Sequence, residues 1–402
     1  MCDPLGASQV LPYLFGLAQR GHRITLISFE KSDRSPSERS TVREACVAAG
    51  VSWRPLPYHK RPPVLSTLFD VAALRRLAFQ LHRREGFDLV HCRGYVTALV
   101  GLALKRRTGM RFLFDMRGFW ADERRESGSW SQSNPLYRGV YRYFKRCERE
   151  FWDEADQLVS LTENARDVIV ATDRSAAPIA VIPCCVDLGL FRPPLAQERA
   201  ASRASLGIGA ADRVLAYLGS LGGNYMLDEM LDFYRVYRER YGPTKFLFVT
   251  HTPEALIRPA TAQRQLPPGE IIVKAASRSE VPALMAAADL GISFVEAVSS
   301  KRAASPTKLG EMLALEVPVV TNSGVGDVDR IMAEAGSGVV IDRFDENAYR
   351  GALDELDRLK PDKKRSRNAV RRWFDLETGV ERYDAIYHAL AKAAVGSQRA
   401  LR

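Results

Sequence analysis

Ser305-Pro306-Thr307-Lys308-Leu309-Gly310-Glu311-Met312-Leu313-Ala314 puts a cation at the expected start of a helix and a carboxylate one turn inside it. Val317-Pro318-Val319-Val320-Thr321-Asn322-Ser323-Gly324 follows, so the segment reads as loop, helix, short buried strand and glycine turn. Such an order suits a nucleoside diphosphate. Backbone N–H groups and the helix dipole hold phosphate, and the carboxylate takes ribose hydroxyls. An ordinary βα unit with a solvated Glu311 is the alternative. A second charged loop, Asp115-Met116-Arg117-Gly118-Phe119-Trp120-Ala121-Asp122-Glu123-Arg124, follows a strand directly. Arg117 suits an anionic group there, and Asp115 or Asp122 suits hydroxyls; a structural Arg–Asp cluster is the plainer reading. His91-Cys92-Arg93-Gly94 is a similar strand-end loop, in which a packed histidine is commoner than a catalytic one.

Other chemistries lack their signatures. There is no Ser/His/Asp pattern, no HExxH and no GxGxxG in frame before a helix. Gly219-Ser220-Leu221-Gly222-Gly223 lacks the Lys-Ser/Thr ending of a Walker loop. The six cysteines form no CxxC pair and no cluster with metal-ligand spacing, so a reducing cytoplasm is expected.

These loops need elements to hold them. The N-terminal half alternates helix and strand: helix 8–20, strand 23–29, helices 36–49 and 66–85, strand 87–92, helix 95–107, strand 111–114, helix 135–152, strand 157–160, helix 163–171 and strand 179–182. This is the rhythm of a parallel, doubly wound α/β sheet. Asp3-Pro4-Leu5-Gly6-Ala7-Ser8 looks like a loop leaving a strand, yet no strand precedes it. A first strand missing at the N-terminus, with roughly 10–20 residues, is therefore expected, because that strand is central in such domains. A second series follows Pro193-Pro194 and an Ala/Ser/Arg-rich stretch: strand 214–218, the glycine loop at 219–224, helix 226–239, strands 246–250, 271–274 and 290–294, helices 280–288 and 307–315, and strands 317–320 and 338–341. The expected domains are 1–195, 196–375 and a helical tail 376–402.

A net charge of +10, with 46% hydrophobic and 26% charged residues, belongs to a globular chain with a basic surface. Basic residues cluster at Lys105-Arg106-Arg107, from Arg142 to Arg149 and from Arg358 to Arg372. Aromatics do not interleave with them as a single-strand binding platform needs, so no nucleic-acid partner is expected. An anionic membrane surface or an anionic substrate remains. No apolar run is long enough to cross a membrane, and no signal peptide is visible.

Taken together, these segments resemble glycosyltransferase family 4, retaining enzymes of the GT-B fold. The marks are Asp3-Pro4-Leu5-Gly6-Ala7-Ser8-Gln9-Val10, the loop from Phe114 to Glu123, Gly219-Ser220-Leu221-Gly222, Ala287-Ala288-Asp289-Leu290-Gly291-Ile292-Ser293 and the segment around Glu311. The resemblance implies two Rossmann-like domains facing across a cleft, an acceptor in the first and a nucleotide-sugar donor in the second. It implies hexosyl transfer without a metal or other cofactor, and a last helix that packs back on the first domain. Glu311 falls on the family's ribose-binding glutamate, Thr307 and Lys308 on its diphosphate seat, and Gly6 and Gly219 on its phosphate-facing loops. Ser220 belongs to the same glycine loop. Lys274, Ala276 and Ser277 fall where the base is framed, and Asp115 and Arg117 in the acceptor-side loop. Asp115, Arg117 and Lys308 are the expected catalytic groups.

Two positions depart from the family pattern. Ala303 stands where a first glutamate would hold the donor sugar, so Glu296 or Ser305 would have to serve. Ser220 and Met226 replace the usual basic pair, leaving Lys308, Lys301 or Arg278 to supply the charge. The expected acceptor is a glycan or a lipid-linked sugar in polysaccharide assembly, handled in the cytoplasm or at the inner face of the plasma membrane, with peripheral contact to anionic lipid. A degenerate GT-B binding protein and a nucleotide-sugar 2-epimerase of the same fold are the alternatives.

Overall fold

The computed structural model describes residues 1–33, 35–172, 177–360 and 362–400. The chain divides into two compact units: Met1–Pro183 together with Leu376–Arg402, and Cys184–Asp375. The crossing falls at Pro183–Cys184 rather than at 195, because the residues just after it belong to the second core. Val186 and Phe191 are buried there, and the Val186 N–H donates to the Phe374 carbonyl at 2.6 Å.

In the first unit the strands are β1 (Ile24–Glu30), β2 (Val51–Pro57), β3 (Leu89–Arg93), β4 (Arg111–Asp115), β5 (Gln157–Ser160) and β6 (Ile179–Val181). They form two parallel sheets, β1-β2 and β3-β4-β5-β6. Strand β2 escaped the sequence reading because it carries Pro55 and Pro57, and proline suits only a strand with an open edge. The single helix expected over 8–20 is two helices, Pro4–Gln9 and Leu11–Gln19. Pro12 sits in the first turn of the second, where its missing N–H costs least. Helix Pro135–Glu154 buries Phe144, Cys147, Phe151 and Trp152 along one stripe. The Phe151 ring meets Tyr95, Phe112 and Phe114, which fixes β4 from behind. Helix Leu376–Ala400 completes this unit: Tyr383 packs edge-on against Tyr13, with ring centres 5.7 Å apart.

In the second unit β7 (Arg213–Leu218), β8 (Thr244–Val249), β9 (Ile271–Lys274), β10 (Leu290–Ser293), β11 (Val319–Asn322) and β12 (Gly338–Ile341) form one parallel sheet in the order β12-β11-β10-β7-β8-β9. Alternate residues feed two cores. Leu215, Tyr217, Phe246, Phe248 and Ile292 face one way with Tyr234 and Tyr349; Val214, Ala216, Leu247 and Val319 face the other with Leu309 and Met312. Both faces are apolar because helices cover both, as a parallel sheet requires. The strand order reverses between β7 and β10. A doubly wound sheet leaves its crevice at that point, beyond the C-terminal strand ends.

Candidate functional site

Helix Thr307–Ala314 begins at Pro306 with no side chain capping its first amides. Lys308, in its first turn, is buried. Its ammonium donates to the Tyr217 hydroxyl at 2.8 Å, and that hydroxyl donates to the Ser220 carbonyl at 2.7 Å. The Lys308 Nζ also lies 3.5 Å from the Tyr225 ring centre and 4.5 Å from that of Tyr217. Among the described residues no carboxylate reaches it at ion-pairing distance. Burial pulls its pKa down to about 7, and the more distant Glu311 charge offsets this only in part. Gly219, at the end of β7, provides the room. Its φ is +114°, and a Cβ there would stand 3.0 Å from the Lys308 Nζ. The structure therefore brings Gly219, Ser220, Thr307 and Lys308 together at the strand-order reversal.

Glu311 lies one turn further in and is equally buried. Its Oε1 accepts from the Arg278 guanidinium at 2.7 Å, and that guanidinium stacks over Phe191 at 5.0 Å. Burial raises the Glu311 pKa, while Arg278 and then Lys308 oppose the rise. Arg278 is thus a partner of Glu311, not an uncommitted substitute for the missing basic pair. It joins Glu311 to the loop after β9. There Lys274 is exposed, Ala276 is buried, and Ser277 donates through both N–H and Oγ to Glu280 at 2.8 and 2.6 Å. Ser305 accepts the Cys184 N–H at 3.0 Å, so it ties the helix to the start of the unit. Glu296 accepts from the Asn224 side chain at 3.0 Å and fastens the exit of β10 to the glycine loop. Ala303 is buried in a short 3-10 turn, and the Lys301 carbonyl in that turn accepts the Gly326 N–H at 2.8 Å.

The first unit holds a separate cluster at the ends of β3 and β4. Asp115 is fully buried. Its Oδ2 accepts from the Tyr383 hydroxyl at 3.0 Å and faces Arg93 at 3.4 Å and His91 at 3.5 Å; Arg117 stands 3.7 Å from Oδ1. His91 Nδ1 meets the Tyr387 hydroxyl at 2.8 Å. Burial would raise the Asp115 pKa, but Arg117, His91 and Arg93 together hold it below the usual carboxylate range. Arg117 adopts φ +58°, a left-handed conformation that costs a non-glycine residue about 1 kcal/mol. Asp122 points elsewhere, to Lys145 at 2.8 Å and the Tyr141 hydroxyl at 2.8 Å. Gly6 does not stand open to a ligand: a Cβ there would lie 2.6 Å from Met1 Cα, and its N–H is taken by Asp3 Oδ1 at 2.7 Å.

Sequence reasoning missed four tyrosines. Tyr217 and Tyr225 frame Lys308, and Tyr383 and Tyr387 complete the Asp115 cluster. The helical i, i+4 spacing of Tyr383 and Tyr387 was the one available signal, and it does not say which strand end they meet.

Two parallel α/β units, the second doubly wound with a lysine and a carboxylate on one helix turn at its strand-order reversal, have the GT-B fold. Residues 7–185 match the model of the family described as Glycosyl transferase 4-like domain. A curated relative is D-inositol 3-phosphate glycosyltransferase of Mycobacteroides abscessus, 26% identical over 218 residues, which are 53% of this chain and 46% of that one. The protein of that name from Mycobacterium tuberculosis is 29% identical over 160 residues, 40% of this chain and 31% of the relative. The matched stretch thus spans less than half the length of these relatives. Among solved structures, Anabaena HepE in complex with UDP and glucose aligns over 97% of both chains with a TM-score of 0.70 and 12% identity. A glycosyltransferase from Rickettsia africae aligns over 97% of both with a TM-score of 0.69 and 14% identity.

Proposed function

We propose that this protein is a retaining glycosyltransferase. It moves a hexosyl group from a nucleotide-diphosphate sugar to a glycan or lipid-linked acceptor in cytoplasmic polysaccharide assembly. The observation that carries the reading is the Lys308 ammonium. It is buried, has no carboxylate at ion-pairing distance among the described residues, and shares a helix turn with uncapped amides. A buried cation without a counter-charge is costly. A diphosphate would supply that charge. As the sugar–phosphate bond breaks, negative charge builds on the leaving phosphate, and Lys308 with the Thr307 and Lys308 amides stabilises it without a metal. The leaving phosphate oxygen takes the acceptor hydroxyl proton, and the hydroxyl oxygen forms the new bond on the same face. Glu311 holds the ribose, and the loop at Lys274, Ala276 and Ser277 frames the base. Asp115, held ionised, is a weak base; it positions Arg93 and Arg117 on the acceptor side.

The names of the curated relatives and the UDP and glucose bound to HepE support the donor class. The buried Ala303 favours one second reading, a nucleotide-sugar binding protein that no longer turns over. Thermal unfolding with UDP, GDP and their sugars, followed by donor hydrolysis, separates the two. A nucleotide should raise Tm, and Glu311→Ala should weaken its binding by about 10- to 100-fold. Stabilisation without hydrolysis or transfer would favour the binding protein, and no response to any nucleotide would reject both.

A further inference from the structure

Several cations of the basic runs that stand out in the sequence are paired. Arg106 meets Glu150 and Glu154, Lys105 meets Asp156, Arg367 meets Glu316, and Arg372 meets Glu334. An apolar stripe that the sequence reading passed over stands exposed on the first unit. Helix Leu65–Glu85 of the first unit turns Ser66, Asp70 and Leu74 inward. On its other side Leu65 is 64% exposed, Leu68 61% and Phe69 62%, and the stripe continues to the exposed Ala72. These positions are i, i+3, i+4 and i+7, one continuous helix face. Tyr58, 45% exposed, lies on the loop leading into it.

The patch is tied to the loop before it. Asp70 accepts the His59 N–H at 3.0 Å and meets the His59 ring at 2.5 Å, so loop and helix are clamped together. The His59 ring packs edge-on to Phe69 at 5.2 Å. Cations stand at both ends: Lys60 and Arg61 on the loop, and Arg76 on the stripe's own face, three turns along. All three are exposed, and none has an ion-pair partner among the described residues.

We propose that this face docks on an anionic lipid surface, with the helix lying in the plane of the interface. The leucines and Phe69 enter the headgroup boundary, while Lys60, Arg61 and Arg76 meet lipid phosphates. An apolar stripe with uncompensated cations at its ends matches that surface better than a protein partner, whose contact cores exclude charge. No helix among the described residues is long and apolar enough to cross a membrane, so the contact is peripheral. Docking rests on these residues alone; its use, bringing a lipid-linked acceptor within reach, rests on the glycosyltransferase reading.

Flotation of the full chain with vesicles of phosphatidylcholine, alone or mixed with phosphatidylglycerol, tests it. The wild type should bind the mixed vesicles and lose them as salt rises. Leu68→Ser with Phe69→Ser should weaken binding at least about tenfold. Lys60→Gln and Arg61→Gln should each weaken it about fivefold. Because these side chains are exposed, Tm and any UDP-induced rise in Tm should stay as in the wild type. Absence of binding to mixed vesicles, or equal binding by the leucine–phenylalanine variant, would overturn the proposal. So would a wild-type dimer that this variant returns to monomer, since a second copy would then cover the stripe. A wild type that floats with vesicles but ignores every nucleotide would count against the glycosyltransferase reading and leave the docking intact.

Discussion

On the proposed reading, Lys308 is where folding and ligand binding pull in opposite directions. Its pKa near 7, against an ordinary 10.5, means that the folded protein sheds a proton that the unfolded chain keeps between those values. Stability from this group therefore rises with pH across that window. Bound diphosphate would favour the charged ammonium, so nucleotide affinity should fall as pH rises above about 7, by up to about tenfold per unit. Titration calorimetry at pH 8 in two buffers of different ionisation enthalpy should show proton uptake on UDP binding. Lys308→Met should abolish that uptake and raise the Tm of the nucleotide-free protein; identical heats in both buffers for the wild type would remove Lys308 from the phosphate seat. Asp115, whose pKa is also lowered, has the same sign in a lower pH window. Its depressed pKa stabilises the fold above the ordinary aspartate range, and that stability is lost as pH falls below it. Asp115→Asn should cost about 3–5 kcal/mol, read by urea unfolding at pH 7, because it leaves two arginines beside an uncharged partner. That Lys308 and Glu311 share one helix turn was legible, because it follows from their spacing. The Arg278 grip on Glu311 was not, since side-chain direction on a loop 33 residues away leaves no mark in spacing.

Helix Thr307–Ala314 is placed by close packing as much as by its own sequence. Gly310 faces helix Lys363–Phe374 so closely that a Cβ would lie 2.5 Å from the Phe374 ring. Gly310→Ala should cost about 1–3 kcal/mol in chemical unfolding and, by tilting the helix, should also weaken UDP binding. A variant with wild-type stability and affinity would show that the ring swings aside. The βα alternation itself was readable, because buried parallel strands are short apolar runs between helical stripes. Elements with internal proline were not. Strand β2 carries two prolines, and helix Glu254–Gln263 encloses Pro259. Local rules count against both, and tertiary packing overrides them. The basic run from Arg358 to Arg372 shows a similar limit: composition reports charge, but not that Glu316 and Glu334 wait for it on neighbouring elements.

At the scale of the whole molecule, every residue assigned to the donor except Gly6 lies in Cys184–Asp375, a continuous stretch with its own six-stranded sheet. That stretch, expressed alone, should fold and keep a UDP-induced rise in Tm. An unfolded or unresponsive fragment would mean that the first unit contributes to the seat. Pro193-Pro194 suggested the wrong boundary because proline pairs commonly mark linkers. Here they follow residues already anchored in the second core by Val186 and Phe191. The first unit, by contrast, is discontinuous, and its last helix is also the last part of it to be synthesised. Until Tyr383 leaves the ribosome, Asp115 lacks its hydroxyl partner and Tyr13 its ring partner. The unit Cys184–Asp375 can mature during translation, whereas the half made first must wait for helix Leu376–Ala400. Any chaperone dependence should therefore fall on the N-terminal half, and a premature stop near residue 375 should leave a nucleotide-binding protein with an unfinished acceptor side.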